Sequence, residues 1–297
     1  MAGIPFVREM TFAHGEVQQV SPLIRRVVAN NPGPFTYLGT GVYIIGRGEV
    51  AVIDPGPPID AHFDALKSAV AGERITHVFT THTHLDHSPL AHPLARWAGA
   101  RVYGRPDPAA SHLDVSLEED GEAGFAPDIL VNDGDIFTGP GWTLEAVQTP
   151  GHMSNHVCYA LREENALFSG DHIMGWSTTV ISPPDGNMGD YYRSLARVRD
   201  RNFSTLWPTH GPPVTDVNPF IDAYLAHRRA REDAILARLS AGDTLIPEMV
   251  KIIYKDVDVR LHAPAAHSVL AHMIHLVEAG RAKANGPFAL TTHYSVA

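Results

Sequence analysis

Apolar residues recur at two different periods along the chain, and the switch between them sets out the elements. TYLGTGVYIIG (36–46) and EVAVIDPG (49–56) are short runs rich in β-branched and aromatic residues, and they predict two strands of a hairpin joined at Arg47-Gly48. IDAHFDALKSAV (59–70) changes period: Ile59, Phe63, Leu66 and Val70 are spaced for one face of a helix. ITHVFTTHTH (75–84) returns to a strand, and SPLAHPLARWAG (88–99) predicts a helix opened by Ser88 as cap and Pro89 in the first turn. ARVYG (100–104) is a short strand. Further strands are expected at 128–137, 142–149, 156–162 and 166–170, and GDYYRSLARVRD (189–200) fits a helix. Strands mixed with helices in this order predict two sheets sandwiched between helices, an α/β architecture.

Beyond residue 216 the pattern becomes helical. PFIDAYLAHRRAREDAILARLSAG (219–242) reads as one long helix ended by Gly242. TLIPEMVKIIYKD (244–256), APAAHSVLAHMIHLVEAGRA (263–282) and GPFALTTHYSVA (286–297) read as helix, helix and a β-rich tail, the order of a winged helix with the tail as wing. The chain therefore divides into a catalytic-type domain, 1–216, and a linker helix plus winged-helix-like domain, 217–297.

Charge follows the same division. The 297 residues carry a formal charge of −10. Residues 1–216 hold 14 basic and 25 acidic side chains; residues 217–297 hold 9 and 8. An acidic surface repels polyanions at long range and weighs against a generic nucleic-acid binder. The apolar fraction, 44%, supports a sizeable core. Cys158, the single cysteine, excludes an intrachain disulfide and reads as a small buried hydrophobe in HVCYAL. MAGIPFVREMTFAHG lacks a signal-peptide pattern and no run is long enough for a membrane span, so a cytoplasmic location is expected. Nothing in the sequence sets an oligomeric state.

Candidate chemistry concentrates in THTHLDHSP (81–89). Strand alternation turns His82 and His84 the same way, toward one metal, and Asp86 and His87, past the strand end, suit a second. TPGHMSNH adds His152, FSGDHIMG adds Asp171 and WPTHGPP adds His210, each at the C-terminal end of an expected strand. Five histidines and two aspartates are a donor set for two divalent ions with open positions.

HTHLDH, TPGH, FSGD and PTHG, in this order, resemble the metallo-β-lactamase-fold hydrolases. The resemblance implies an αββα sandwich. It assigns His82, His84 and His152 to one metal, Asp86, His87 and His210 to a second, and Asp171 to a bridge between them. A histidine at position 84 favours zinc; iron or manganese occurs in relatives with the same pattern. Asp54 in IDPG is implied to orient the ligands, beside its reading as a turn residue. NPGPFTYLGTGVY (31–43) and MVKIIYKD (249–256) resemble a subgroup, lactamase-like protein 2, that carries a C-terminal winged helix and includes an endoribonuclease acting on single strands.

The chemistry so implied is hydrolysis by a metal-bridging hydroxide, with Asp86 holding the nucleophile through a hydrogen bond. The first expectation is a phosphodiesterase or endoribonuclease on single-stranded RNA. The alternative is a glyoxalase II-like thioesterase or other small-ester hydrolase. A lactam hydrolase and a non-catalytic nucleic-acid-binding protein rank below these. Trp176, Met188, Tyr191 and Tyr192, after Asp171, are candidates for the substrate rim; Tyr191 and Tyr192 have a second reading as packing residues of a helix. His156 reads either as a proton donor to the leaving group or as a strand residue, and His172 in the same two ways. His262, His267, His272 and His275 read as helix surface and packing, and the cluster Arg228, Arg229 and Arg231 as the strongest local basic group or a solvated helix face.

Overall fold

A computed structural model describes residues 3–107, 121–256, 258–259 and 262–297. The first sheet has seven strands in sequence order: β1 (Val17–Gln19), β2 (Ile24–Val28), β3 (Gly41–Ile45), β4 (Glu49–Ile53), β5 (Arg74–Phe79), β6 (Arg101–Gly104) and β7 (Ile129–Leu130). Helices α1 (Asp60–Ala69) and α2 (Ala91–Ala98) connect β4 to β5 and β5 to β6, and those pairs are parallel. The second sheet runs β12-β11-β10-β9-β8, from β8 (Ile136–Gly139), β9 (Trp142–Gln148), β10 (Val157–Leu161), β11 (Ala166–Gly170) and β12 (Thr205–Pro208), with α3 (Met188–Asp200) between β11 and β12.

Strand alternation builds the layers. Tyr43 and Ile45 of β3 face Leu144, Tyr159 and Phe168 of the second sheet, forming the core between the sheets. Val42 and Ile44, one step along, face Leu66 of α1 and Leu94 of α2. On the far side, Val147, Cys158 and Leu167 pack under Leu195 and Val198 of α3 and under Phe220 and Tyr224 of α4 (Val217–Ser240). The result is an αββα sandwich. Cys158 is buried, and burial pushes its thiol up to about 12, so it is a packing residue.

The second half of α4 leaves the sandwich. Its Ile235 and Leu239 share a core with α5 (Ile246–Ile253), α6 (His262–Glu278) and the hairpin β13 (Ala282–Ala284)–β14 (Tyr294–Val296). This is the helix, helix and wing expected from the sequence.

Four local expectations are corrected. Residues 128–137 are not one strand: β7 and β8 belong to different sheets, separated by a turn in which Asn132 N donates to Asp135. Residues 36–40 are not strand, because Tyr37 takes a left-handed φ of 57°. α2 opens at Ala91 behind Leu90, and Ser88 caps nothing; its hydroxyl donates to Glu122 at 2.7 Å. The strand before the histidines ends at Phe79. β1 and β2 were not expected at all, since Ser21-Pro22 interrupts the run and Arg25 and Arg26 sit in β2.

Candidate metal centre

Strand ends from both sheets meet at one edge of the sandwich. His82, His84, Asp86 and His87 follow β5, His152 follows β9, Asp171 follows β11 and His210 follows β12. All except His84 are buried. His82 and His84 do converge, with His82 Nε2 2.9 Å from His84 Nδ1, but strand alternation is not the cause because both lie beyond β5. A turn follows the pair: His87 N and Ser88 N both donate to the His84 carbonyl, curling Asp86 and His87 back over the edge.

Three sets of side chains bring ligand atoms within 4.8 Å of one another: His82, His84 and His152; His82, His87 and Asp171; Asp86, His87 and His210. Asp171 reaches both sides of the cluster. Its Oδ1 lies 3.5 Å from His210 Nε2 and 3.7 Å from His87 Nε2, and its Oδ2 lies 3.9 Å from His152 Nε2. Asp86 Oδ2 lies 3.0 Å from His210 Nε2 and 3.3 Å from His87 Nε2.

The outward ring atoms fix which nitrogens face inward. His152 Nδ1 donates to the Val180 carbonyl at 2.7 Å and His210 Nδ1 to the Gly39 carbonyl at 3.2 Å. His87 Nδ1 donates to Asp54 at 2.9 Å. Thr81 spends its one hydroxyl hydrogen on Asp54, 2.8 Å away, so His82 Nδ1 donates to Thr81 Oγ1 at 3.0 Å. In each neutral ring the proton is therefore on Nδ1, and an Nε2 lone pair points into the cluster. His82 Nε2 and His152 Nε2 both turn to His84 Nδ1, at 2.9 and 3.2 Å. A hydrogen on His84 Nδ1 could serve only one of these two lone pairs, so the three nitrogens together suit a cation among them. The buried His87 Nε2 and Asp171 Oδ1, which find no hydrogen-bond partner, point the same way.

Electrostatics agree with this donor set. Burial and the neighbouring imidazoles hold His84 down to about 3 and His82 well below its usual value, so both rings are neutral near pH 7. Burial alone would raise Asp86 and Asp171, but His87 and His210 hold both carboxyls well below the usual range. Those same carboxylates overcome burial and raise His87 and His210, so without metal a proton stands where a cation would.

Asp54 is the common anchor. Its buried carboxylate accepts from Thr81 N at 2.7 Å, Thr81 Oγ1, Thr209 Oγ1 at 2.9 Å and His87 Nδ1. It also adopts a left-handed φ of 49°, so the turn reading and the orienting reading describe one residue. The Asp54 role was expected from the sequence; its partners Thr81 and Thr209, each beside a cluster histidine in the repeated pairs Thr81-His82 and Thr209-His210, were not. Sequence reasoning also missed Thr149, whose hydroxyl takes the Nδ1 hydrogen of His156 at 2.8 Å while His156 Nε2 accepts from Asp171 N at 3.2 Å. Gly170 makes room for that contact: a Cβ there would lie 2.5 Å from His156 Nε2.

Most of the expected rim is corrected. His156, His172 and Tyr191 are fully buried, Tyr191 as a packing residue of α3, and none reaches the surface of a cleft; Met188 is almost fully buried but lines a cavity against α6 and the wing. His156 braces Asp171, and Tyr191 donates to the His172 carbonyl at 2.8 Å. Tyr192 is half-buried against His275 of α6, ring centres 5.1 Å apart. Trp176 alone remains half-exposed near the cluster, stacked on Tyr37 at 4.6 Å and packed over Gly211, the neighbour of His210. The basic cluster of α4 is only in part a solvated face, with Arg229 exposed. Arg228 is buried and donates to the Thr179 carbonyl, and Arg231 lies over the Tyr254 ring at 4.2 Å.

Comparison with known proteins decides the family. The description "Metallo-beta-lactamase superfamily" matches residues 37–210, which contain every residue of the cluster. The chain belongs to the metallo-β-lactamase superfamily. "Beta-lactamase associated winged helix domain" matches residues 246–287. A Caenorhabditis elegans "Beta-lactamase-like protein 2 homolog" is 31% identical over 249 residues, 81% of this chain and 79% of that protein. A Claviceps purpurea "Atrochrysone carboxyl ACP thioesterase" is 33% identical over 227 residues, 75% of this chain and 67% of that protein. Among solved structures, a metallo-beta-lactamase family protein from Thermus thermophilus superposes with a TM-score of 0.76 at 23% identity. It covers 94% of this chain and 100% of its own. A beta-lactamase domain protein from Burkholderia ambifaria gives 0.80 at 20% identity, covering 97% and 96%. These structures share the fold. With its family and its thioesterase-named relatives, the chain is a metallo-β-lactamase superfamily hydrolase whose His/Asp cluster suits divalent metal. Among the described residues no helix is long and apolar enough to cross a membrane.

Proposed function

We propose that this hydrolase uses two divalent ions and cleaves a thioester. Asp171 carries the first part: one carboxylate oxygen faces His87 and His210 and the other faces His152, the arrangement a shared ligand needs. His82, His84 and His152 would hold one ion and Asp86, His87 and His210 the other. A set of five imidazoles and two carboxylates suits zinc. Bound ions would supply an activated water and polarise the scissile carbonyl. Asp86, kept ionised, would accept a hydrogen bond from that water, and Asp54 would keep His87 and, through Thr81, His82 in the tautomer that leaves Nε2 free to bind. Residues 1–216 would form the catalytic domain and 217–297 the linker helix and winged-helix domain.

The substrate class rests on the thioesterase names of relatives that align over 75% of the chain. The acidic charge of −10 adds to it, because it disfavours a polyanionic strand. The deciding experiment gives zinc-loaded protein two substrates, an acyl-N-acetylcysteamine thioester and an end-labelled single-stranded RNA, with His84→Ala as contamination control. Hydrolysis of the thioester by wild type alone is expected. RNA cleavage by wild type alone, with the thioester intact, would replace this reading with the nuclease one.

A further inference from the structure

A cavity of about 680 Å³ opens where the sandwich meets the winged helix, away from the residues of the metal centre itself. Three segments wall it: the loop that follows Asp171, through Pro183 and Met188; α6, through Leu270 and Ile274; and the tip of the wing, through Phe288 and Leu290. Its size is that of a site for a small organic ligand.

The lining says what it would take. No lysine or arginine lines it among the described residues, and its one charged residue is the carboxylate of Glu278. His267 is the other titratable neighbour, and burial lowers its ring below the usual value, so it adds no positive charge near pH 7. A phosphate chain or a nucleic-acid strand would find no countercharge here and one repelling carboxylate. A neutral apolar chain would find aliphatic and aromatic walls. In many winged helices the wing is a surface for partners; here the wing tip is a wall of the cavity, with Phe288 still 45% exposed. A ligand chain laid along that ring would remove its apolar surface from water.

The cavity is tied to the metal centre through one short loop. Asn187 N donates to the Gly151 carbonyl at 2.9 Å, and Asp185 accepts from Ser154 N at 2.8 Å. The same loop thus braces both flanks of the turn that carries His152, while Val180, three residues before the wall begins, takes the His152 Nδ1 hydrogen. A Cβ at Gly151 would strike the Tyr191 backbone at 2.5 Å, so this turn is pressed against the start of α3, whose first residue, Met188, lines the cavity.

We propose that this cavity is the acyl-chain site: it binds the medium-length, neutral, apolar chain of a thioester whose carbonyl lies at the metal centre. The assignment rests on the thioester reading for the carbonyl's chemistry, while the apolar site itself is separately testable.

Two measurements test it. The first uses octan-1-ol, which carries no metal-binding carboxylate, as a calorimetric probe of the metal-loaded protein. Binding is expected in wild type and should weaken about tenfold or more in Leu290→Trp and in Ile274→Trp, two fillings from different walls. No binding by wild type, or equal binding by folded wild type and both variants, overturns the site whatever the enzyme hydrolyses. The second compares acetyl and octanoyl thioesters of N-acetylcysteamine. Both variants should raise the ratio of octanoyl to acetyl KM about tenfold; an equal effect on the two substrates overturns the acyl-chain role. If octanol binds as expected while neither thioester is cleaved, the failure belongs to the thioester reading, and the acyl assignment falls with it while the apolar site stands.

Discussion

Two stretches of this chain are crowded with histidine, and they do opposite things. Residues 82–87 carry three, and α6 carries four, at positions 262, 267, 272 and 275. In the first stretch Nδ1 of His82 and of His87 turns outward, to Thr81 and Asp54, and their Nε2 atoms face inward, that of His87 beside Asp86 and Asp171. In α6 the rings converge on one carboxylate instead. His272 and His275, one helical turn apart, aim Nδ1 at a single oxygen of Glu232, at 3.5 and 2.8 Å, and Arg281 closes on the other oxygen at 3.3 Å. The carboxylate there is already satisfied by donors. Histidine density is therefore a poor signal of a metal site; what matters is whether neighbouring acceptors occupy the outer nitrogens and leave the inner ones as lone pairs.

The largest test of that contrast removes a histidine from each stretch. His84→Ala should lose bound metal and hydrolysis together, while His275→Ala should keep the wild-type metal content. Elemental analysis of the dialysed proteins reads both. A metal-replete, active His84→Ala protein would end the assignment of residues 82–87, and loss of metal from His275→Ala would end the contrast.

The outer acceptors come next. Asp54 takes four hydrogen bonds yet touches no metal in this reading. Asp54→Ala frees the outer nitrogens of His87 and, through Thr81, His82 to change tautomer. Metal affinity, measured by competition with a chromophoric chelator, should fall about 10- to 100-fold, the usual range for such orienting groups. An affinity within about twofold of wild type would mean that the rings are held by packing alone.

This ordering also explains how much was legible beforehand. The seven cluster residues stand out in sequence because each follows an apolar run and precedes a turn, and two sheets sandwiched between helices follow from the order of strand and helix patterns along the chain. Strand alternation does not place His82 and His84 together, because β5 stops at Phe79. The rim residues failed for a different cause. Met188 and His172 look like loop residues, but α3 begins at Met188 and carries Tyr191 into the core, the second of its two readings, where its hydroxyl meets the His172 carbonyl. Such burial depends on contacts with α4, some 30 residues later, and no local pattern encodes it. Arg228 illustrates the same limit, since a local reading gives a surface cation.

Arg228 supplies a smaller test. From α4 it donates to the Thr179 carbonyl and lies over the Tyr191 ring at 5.2 Å. Thr179 in turn donates to the Asp171 carbonyl at 2.8 Å, and its neighbour Val180 holds His152. Arg228→Leu should lower stability by about 1–3 kcal/mol, as expected when a buried carbonyl loses a charged donor. If the guanidinium also positions the segment, metal affinity should fall several-fold at a temperature where the variant is fully folded. Lower stability with unchanged affinity would confine Arg228 to packing.

The finest test returns to α6 and uses pH. His272 is buried, and burial lowers its ring to about 4 despite Glu232, with Arg228 and Arg231 also opposing a proton. In the unfolded chain the same ring titrates near 6.5. The folded state thus keeps it neutral while the unfolded state binds a proton as pH falls. Its contribution is complete above pH 6.5 and erodes between 6.5 and 4, by about 2 kcal/mol at pH 5. His272→Gln retains a donor for Glu232 but removes the titration. Urea unfolding at pH 7.5 and pH 5 should therefore show a smaller loss of stability in the variant than in wild type, by roughly that amount. Identical losses would mean that folded His272 takes up the proton on Glu232's account. The α6 histidines would then be charged partners of a buried carboxylate, and the difference from the metal centre would lie in the proton each ring carries as well as in its direction.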